Sequence, residues 1–210
     1  MVTAQPQSSF YTVEEYLALE REAEFKSEYL DGIIYAMSGG SPQHSEITAN
    51  VTIALGSQLR GKPCHVFSSD LKVATDPHGL YAYPDLSIVC DEPRVQDEHR
   101  HVITNPTVIV EVLSPSTEAY DRGRKFTHYQ HLESLQDYIL ISQDEPKVEH
   151  FTRHEGKQWL YAAAQGLEAS LTIASINCIL RLSEVYDKVR FAEPPAGEAE
   201  FRRQETEAAS

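Results

Sequence analysis

Residues 83–89 have the sequence Tyr-Pro-Asp-Leu-Ser-Ile-Val, and residues 108–114 have the sequence Val-Ile-Val-Glu-Val-Leu-Ser. Both stretches are typical of buried strands, because apolar and β-branched residues dominate them. Each stretch also carries one acid, Asp85 in the first and Glu111 in the second. A carboxylate buried in a strand costs several kcal/mol unless it is neutralised, paired with a cation or bound to a metal.

Asp85 and Glu111 could share one divalent cation if their strands are neighbours. Mg²⁺ takes oxygen ligands and keeps several waters, so two carboxylates and a main-chain carbonyl near Val112 would form half of its shell. A plainer alternative is that Asp85 caps a turn after Pro84 and that Glu111 pairs with a nearby Arg or Lys. That alternative is favoured for Asp85 taken alone, whereas the apolar run around Glu111 favours a functional role. A metal site with hydrolytic chemistry is the first hypothesis.

Length and composition indicate one globular domain. The chain has 210 residues, of which 41% are hydrophobic and 24% charged, which suffices for a single substantial core. Residues 1–9 and 193–210 are polar and lack apolar periodicity, so we expect disordered termini around a domain at 10–192. No apolar run approaches the ~20 residues of a membrane span. No secretory signal is recognisable, so we expect a cytoplasmic protein without membrane contact.

Net charge and cysteine content limit the function classes. The net charge of −14 argues against tight non-specific DNA binding unless divalent cations take part. The three cysteines Cys64, Cys90 and Cys178 are far apart and odd in number, and no CxxC pair occurs. This pattern predicts buried, reduced thiols rather than a disulfide framework or a thiolate zinc site.

The pattern of apolar residues and turn signals predicts an α/β or α+β fold with a mixed sheet flanked by helices. Thr12 and Glu15 form a capping box that begins an N-terminal helix, and Asp31-Gly32 is typical of the tight turn of a hairpin over 25–37. Ser41 followed by Pro42 begins a second helix that extends to about Arg60. Further helices are predicted at 117–132 and 180–189, and strands at 65–74, 82–90, 107–113, 136–141, 148–153 and 159–163.

The two acidic stretches resemble the PD-(D/E)XK nuclease pattern, in Pro84-Asp85 and then Glu111-Val112-Leu113. With residues 114–117, Ser-Pro-Ser-Thr, and 29–32, Tyr-Leu-Asp-Gly, the sequence resembles the bacterial Uma-type family of restriction-endonuclease-like proteins from about residue 11 to 191. The resemblance implies a restriction-endonuclease-like core and Mg²⁺-dependent (or Mn²⁺-dependent) hydrolysis of phosphodiester bonds. It also implies that Asp85 and Glu111 are the metal ligands.

This sequence departs from the nuclease pattern at one position, because Leu113 replaces the lysine two residues after the glutamate. On a strand these two positions share a face about 6.6 Å apart, which would place a lysine beside the metal. The best substitute is Lys125 on the following helix, where Asp121, Lys125 and Tyr129 share one side at four-residue spacing. Arg122 can share that side too. The resemblance favours a catalytic Lys125 over a solvated lysine that pairs with Asp121.

Three other residues, Glu28, Asp70 and Lys72, are accessory candidates. Lys72 is the rival cation, and Asp70, on the same face of its predicted strand, is either a third acid of the site or the partner of Lys72. For each, an outward-facing polar residue is the favoured alternative. Glu28 in the first hairpin is either a site acid or an exposed edge-strand acid. His44, near the start of the second helix, is best explained as a surface cap, although a neutral imidazole could bond to substrate or to a loop.

Two functions of different classes follow. The first is a Mg²⁺-dependent endonuclease, with DNA as the nucleic acid because relatives of this fold mostly cut DNA, and with a homodimer implied by the same resemblance. The second is an inactive nuclease fold kept as a scaffold or binding module, favoured by the missing motif lysine and the net charge of −14. The absence of a GxSxG element excludes a serine hydrolase of that type.

Overall fold

The computed structural model describes residues 10–37, 39–75, 79–96, 102–155 and 157–191. The predicted disordered termini, 1–9 and 193–210, lie outside these ranges. The helices are α1 (Val13–Glu22), α2 (Pro42–Leu59), α3 (Glu118–Tyr120), α4 (Phe126–Tyr129) and α5 (Leu182–Val185). The strands are β1 (Ser27–Leu30), β2 (Ile33–Ala36), β3 (Cys64–Ser68), β4 (Lys72–Ala74), β5 (Leu80–Ala82), β6 (Leu86–Cys90), β7 (Val102–Ile103), β8 (Val108–Leu113), β9 (Asp137–Ser142), β10 (Lys147–Arg153), β11 (Trp159–Gln165), β12 (Ser170–Ile173) and β13 (Cys178–Arg181).

The N-terminal third of the chain folds as its local signals predict. The Thr12 hydroxyl accepts from the Glu15 N–H, and the Glu15 carboxylate accepts from the Thr12 N–H, which confirms the capping box. Asp31 and Gly32 both have positive φ, at 49° and 90°, so the hairpin turn is also confirmed. Helix α2 begins after Ser41, whose side chain caps it, with Pro42 in the first turn.

The strands form three sheets. The largest has the order β11-β10-β9-β8-β6-β3, a second has the order β2-β1-β5-β4-β7, and β12 pairs with β13. In the largest sheet β8 and β9 are parallel and the other neighbours are antiparallel. The predicted mixed sheet flanked by helices is therefore confirmed.

Two predicted strands are wrong because each is divided between two sheets. The strand predicted at 65–74 is β3 and β4, separated by a turn in which the Leu71 N–H donates to the Ser68 carbonyl. The strand predicted at 82–90 is the end of β5 and all of β6. Between them lies Pro84, which has no N–H to give to a ladder.

The C-terminal region also differs from its prediction. Residues 178–181 alternate between buried and exposed, and they form β13 rather than the start of the helix predicted at 180–189. Only Leu182–Val185 is α-helical. Alternation with a period of two is the strand pattern, so residues 178–181 carry a strand signal that the helix prediction overlooked, and β7 and β12 were not predicted either. Among the described residues, no helix is both long and apolar enough to cross a lipid bilayer.

The cysteine prediction is wrong for two of the three residues. Cys64 and Cys90 face each other across the antiparallel pair β3 and β6, with Cα atoms 4.0 Å apart, and form a disulfide. Cys178 is buried and free, as expected. The pairing depends on strand register, which cysteine spacing in the sequence does not contain.

Strand β8 is buried on both faces and thereby positions the candidate site. Val110 and Val112 pack with α2 on one face, whereas Ile109 and Leu113 pack on the other face with an apolar cluster that includes residues of α4. Glu111 is on this second face by alternation. An acid is thus held inside the protein, under the helical segment 118–129.

Candidate active site

Asp85 and Glu111 lie opposite each other at the end of the β6–β8 ladder. The register pairs Leu86 with Val110, so its continuation by one residue brings the two acids together. The main-chain N–H of Val112 donates to Asp85 Oδ2 at 2.8 Å, which fixes the Asp85 carboxylate against β8. Glu111 is 3% exposed. The structure therefore brings together the two acids that the sequence analysis singled out.

Lys125 lies against Glu111 and is surrounded by acids. Its Nζ is 2.9 Å from Glu111 Oε1, 3.1 Å from Glu28 Oε1 and 3.5 Å from Asp121 Oδ1. All four side chains are buried, and we call Glu28, Glu111, Asp121 and Lys125 the acid–lysine cluster. Lys125 is therefore not a solvated lysine, and Asp121 is only one of its partners.

The helix that carries Lys125 contains a π-helical segment. Residues Asp121–Lys125 form this segment between α3 and α4, and such insertions occur often at functional sites. The prediction that Asp121, Lys125 and Tyr129 lie on one side of this helix is confirmed, since Tyr129 also donates its hydroxyl to Glu111 Oε1 at 3.2 Å. The prediction that Arg122 shares this side is wrong.

Arg122 is turned toward a different set of partners. Its guanidinium contacts Glu118 on the preceding turn and Glu149 on β10. The π-helical geometry changes which residues of this segment share a side, because it holds more residues per turn than an α-helix.

Burial and an excess of acids raise the pKa values within the cluster. Loss of solvent raises the pKa of Glu111 well above its usual range, and the nearby Asp121, Asp85 and Glu28 add to this, although Lys125 opposes it. Burial also raises the pKa of Asp121. Burial alone would lower the pKa of Lys125, but the negative charges of Glu111 and Glu28 outweigh it and raise that pKa well above normal. Lys125 is therefore a charged ammonium at neutral pH.

Glu28 belongs to the cluster rather than to an exposed edge. Strand β1 lies between β2 and β5, so it is not an edge strand. Besides its contact with Lys125, Glu28 Oε1 accepts the main-chain N–H of Tyr83 at 3.0 Å. The facing of β1 decides this placement, and the sequence pattern of a short hairpin does not determine that facing.

His44, for which surface capping was the favoured explanation, lies against the candidate site. It lies in the first turn of α2, where its N–H donates to the capping Ser41 hydroxyl, and its Nε2 is 3.3 Å from Asp85 Oδ2. The hydrogen bond to Asp85 raises the pKa of His44, against the effect of burial. The capping signal fixes the start of α2, but only the packing of α2 on β8 shows that this start faces Asp85.

Lys72 and Asp70 lie apart from the acid–lysine cluster. Lys72 is buried in an ion pair with Glu20 of α1, and Tyr83 connects this pair to the cluster by donating its hydroxyl to Glu20 at 2.7 Å. Asp70 precedes β4 and pairs with Lys26, and its side chain is 82% exposed. The structure therefore does not bring Asp70 to the site, and the contact expected between Asp70 and Lys72 is replaced by two separate ion pairs.

A second buried polar cluster lies on the other face of the six-stranded sheet. Asp137 at the start of β9 is fully buried and contacts His150 Nε2 at 2.6 Å. Ser175 donates its hydroxyl to Asp137 and not to His150. The serine is therefore not activated by the histidine, and the arrangement differs from a hydrolase triad.

The two carboxylates of Asp85 and Glu111 fit a cation that keeps most of its water ligands. No group of three or more His, Cys, Asp or Glu side chains suited to a metal ion occurs in the described ranges. Mg²⁺, however, is commonly held by one or two carboxylates and completed by waters and substrate phosphate. Asp85 is the more accessible of the two acids, with 18% of its side chain exposed.

Comparison with known proteins places this architecture in a family. Residues 13–181 match the Uma2 family, whose description is putative restriction endonuclease. The chain belongs to the Uma2 family. Two similar proteins come from Synechocystis sp. (strain PCC 6803), both described as uncharacterized. The protein slr1290 is 38% identical over 91% of this chain and 100% of its own length, and sll1609 is 34% identical over 76% of this chain and 90% of its own length.

A solved structure supports the fold of this Uma2 chain. It is described as a putative nuclease belonging to DUF820 from Anabaena variabilis ATCC 29413, and it matches with a TM-score of 0.71. The match covers 86% of this chain and 99% of that structure at 20% identity. In the Uma2 chain described here, Leu113 occupies the motif-lysine position within an apolar cluster. The ammonium beside Glu111 comes instead from Lys125.

Proposed function

We propose that this Uma2 chain is a Mg²⁺-dependent or Mn²⁺-dependent endonuclease that hydrolyses phosphodiester bonds in DNA. The observation that carries the proposal is the opposed pair Asp85 and Glu111 with the ammonium of Lys125 beside it. A divalent cation bound there would polarise a phosphate oxygen and favour ionisation of a water. The family description supports nucleic-acid cleavage as the reaction class.

The side chains of the site divide into ligands and positioning groups. Asp85 uses Oδ2 for Val112 and His44, so we assign Oδ1 to the cation. Glu111 uses Oε1 for Lys125 and Tyr129, so we assign Oε2. Because Lys125 is a charged ammonium, it donates hydrogen bonds and orients Glu111 and a water, and it does not act as a general base.

We infer that the chain works in the cytoplasm and acts as a homodimer when it cuts both strands of a duplex. Two strands require two active sites, and this is the reasoning for a dimer. The Cys64–Cys90 pair tests this compartment, because disulfides are rare in the cytosol and a cytoplasmic chain should carry both thiols reduced in the cell.

A second candidate is a scaffold that has lost catalysis. The observation that favours it is that Lys125 already pairs with Glu111, Glu28 and Asp121. A buried lysine can compensate these carboxylates without any metal. The net charge of −14 also disfavours a DNA-binding surface.

Calorimetric titration with Mn²⁺ and Mg²⁺ separates the two candidates. We expect the wild type to bind the cation and both Asp85→Asn and Glu111→Gln to lose that binding while they remain folded. Asp70→Asn is the matched control, because this acid is exposed and lies away from the site. Cation binding retained in Asp85→Asn and Glu111→Gln would contradict the proposed ligands.

Cleavage of a labelled DNA strand then tests the role of Lys125. Lys125→Arg keeps the positive charge but not the size and reach of an ammonium. We expect it to bind Mn²⁺ and to cleave at least about tenfold more slowly. Wild-type turnover in Lys125→Arg would show that the ammonium does not position the reacting groups.

A further inference from the structure

Two tyrosines and one arginine form a partly exposed surface next to the acid–lysine cluster. Tyr35 on the edge strand β2 is 36% exposed, and its ring centroid is 5.8 Å from that of Tyr120 with an interplanar angle of 33°. Arg124 Nη1 donates to the Tyr35 hydroxyl at 3.3 Å. We call Tyr35, Tyr120 and Arg124 the aromatic platform.

The aromatic platform is in direct contact with the site. Lys125 Nζ lies 5.8 Å from the centroid of the Tyr120 ring, and the same Nζ binds Glu111. Only two side-chain contacts therefore separate the exposed ring of Tyr35 from the ammonium at the site. The Tyr120 hydroxyl is buried and has no hydrogen-bond partner among the described residues.

Arg124 is available to an anionic ligand. Its side chain is 55% exposed, and its ion pair is a 3.7 Å contact with Asp31, which is itself 50% exposed. Exposed ion pairs of this kind contribute little to stability, so a phosphate can replace Asp31 at little cost. On a chain with a net charge of −14, this surface places an accessible guanidinium beside an exposed ring.

We propose that the aromatic platform stacks an unpaired base of single-stranded DNA. The phosphate to be cleaved would lie beside the carboxylates of Asp85 and Glu111, and Arg124 would bind a neighbouring phosphate of the same strand. This inference rests on the proposed function, because it names the substrate form for the same site. Tyrosine rings stack on any base, whereas a base within a duplex must first leave its stack. The preferred substrate is therefore single-stranded DNA or a single-stranded end rather than uniform duplex.

Fluorescence anisotropy with an oligothymidylate of about ten nucleotides tests this binding apart from catalysis, with Ca²⁺ in place of Mg²⁺. We expect wild type to bind this strand at least about tenfold more tightly than a duplex of the same length, and Tyr35→Ala to lose about tenfold in affinity. Tyr35→Phe keeps the ring and should bind within about threefold of wild type. Tyr161→Ala is the matched control, because Tyr161 is 56% exposed but lies on β11 in the other large sheet.

The result that overturns the inference is single-strand affinity that is equal in wild type and Tyr35→Ala, or that falls as much in Tyr161→Ala. Duplex bound more tightly than the single strand also overturns it. The titration of wild type and Glu111→Gln with Mn²⁺ distinguishes the two proposals. If Tyr35→Ala weakens oligothymidylate binding but the wild type binds no Mn²⁺, the aromatic platform is supported and the metal site is refuted. If the wild type binds Mn²⁺ but Tyr35→Ala leaves oligothymidylate affinity unchanged, only the aromatic platform is refuted.

Discussion

Lys125 Nζ lies 2.9 Å from Glu111 Oε1, and neither side chain is more than 5% exposed. The same ammonium also contacts Glu28 and Asp121. One buried cation thus faces three buried carboxyl groups, with Asp85 nearby. This imbalance determines how the site responds to substitution and to pH.

Replacement of Lys125 by methionine should destabilise the protein strongly. The change leaves Glu111, Glu28 and Asp121 without their shared cation, and breaking a buried pair in this way costs about 3–5 kcal/mol. Urea unfolding of Lys125→Met measures the loss. The neighbouring Arg124→Met removes a half-exposed charge, so it should change the free energy of unfolding by less than about 0.5 kcal/mol. Equal effects of the two substitutions would show that burial of Lys125 is not maintained in solution.

The raised pKa of Glu111 predicts a definite pH dependence of stability. A carboxyl whose folded pKa is raised binds its proton more tightly in the folded state, so its contribution is complete below the unfolded pKa of about 4.3 and is lost as the pH rises through the folded pKa. Glu111→Gln resembles the protonated form and lacks this loss. The free energy of unfolding of Glu111→Gln relative to wild type should therefore increase as the pH rises above about 4. A difference that stays constant as the pH rises would contradict this prediction, and Glu24→Gln, at an exposed position, is the control substitution.

Asp137 should be important for stability and unimportant for the site. Its buried carboxylate accepts from Ser175 and contacts His150, so Asp137→Ala leaves several buried polar groups unpaired and should cost about 3 kcal/mol. Because Asp137 lies on the opposite face of the sheet from Glu111, Mn²⁺ titration of the folded variant should match wild type. Asp144→Ala is the exposed control. Loss of Mn²⁺ binding in folded Asp137→Ala would connect the two clusters.

The Cys64–Cys90 disulfide predicts a stability that depends on reductant. The two cysteines are 26 residues apart in sequence, and closing a loop of that length is worth about 3 kcal/mol. Dithiothreitol should lower the free energy of unfolding of wild type by about that amount and should leave the double variant Cys64→Ser, Cys90→Ser unchanged.

Alkylation of free thiols in freshly lysed cells then reports the compartment, since two protected cysteines would refute the cytoplasmic assignment.

The sequence predicted the strands and the helix that carry the central site residues better than it predicted how these elements pack together. Apolar runs interrupted by a single acid identified the strand positions of Asp85 and Glu111, and four-residue spacing identified the side of the helix that carries Lys125. Each of these signals lies within one element. These local patterns favoured a functional role for Glu111, whereas the roles expected of Asp85 and Lys125 depended on the resemblance to the Uma-type family.

The remaining residues depend on how elements pack against one another. Glu28 enters the cluster because β1 lies between β2 and β5, and His44 reaches Asp85 because α2 packs on β8. Lys72 was a reasonable rival by composition, but the break between β3 and β4 sends it to Glu20. Pairings across sheets and registers between distant strands have no local sequence signal, which also explains the unpredicted Cys64–Cys90 bond.

The π-helical segment Asp121–Lys125 makes the number of residues in this helix a part of the site. Five residues in the wide π-helical turn cover about the angle that four residues cover in an α-helix, so α-helical winding of the same five residues would rotate everything on their C-terminal side by up to about 100°. Tyr129 would then no longer point at Glu111, although every side chain of α4 would be intact. Gly123 has open space where a Cβ would lie. A substitution at Gly123 therefore keeps the number of residues on which this winding depends. We therefore expect sequence variation in this segment to change the type of its residues and not their number.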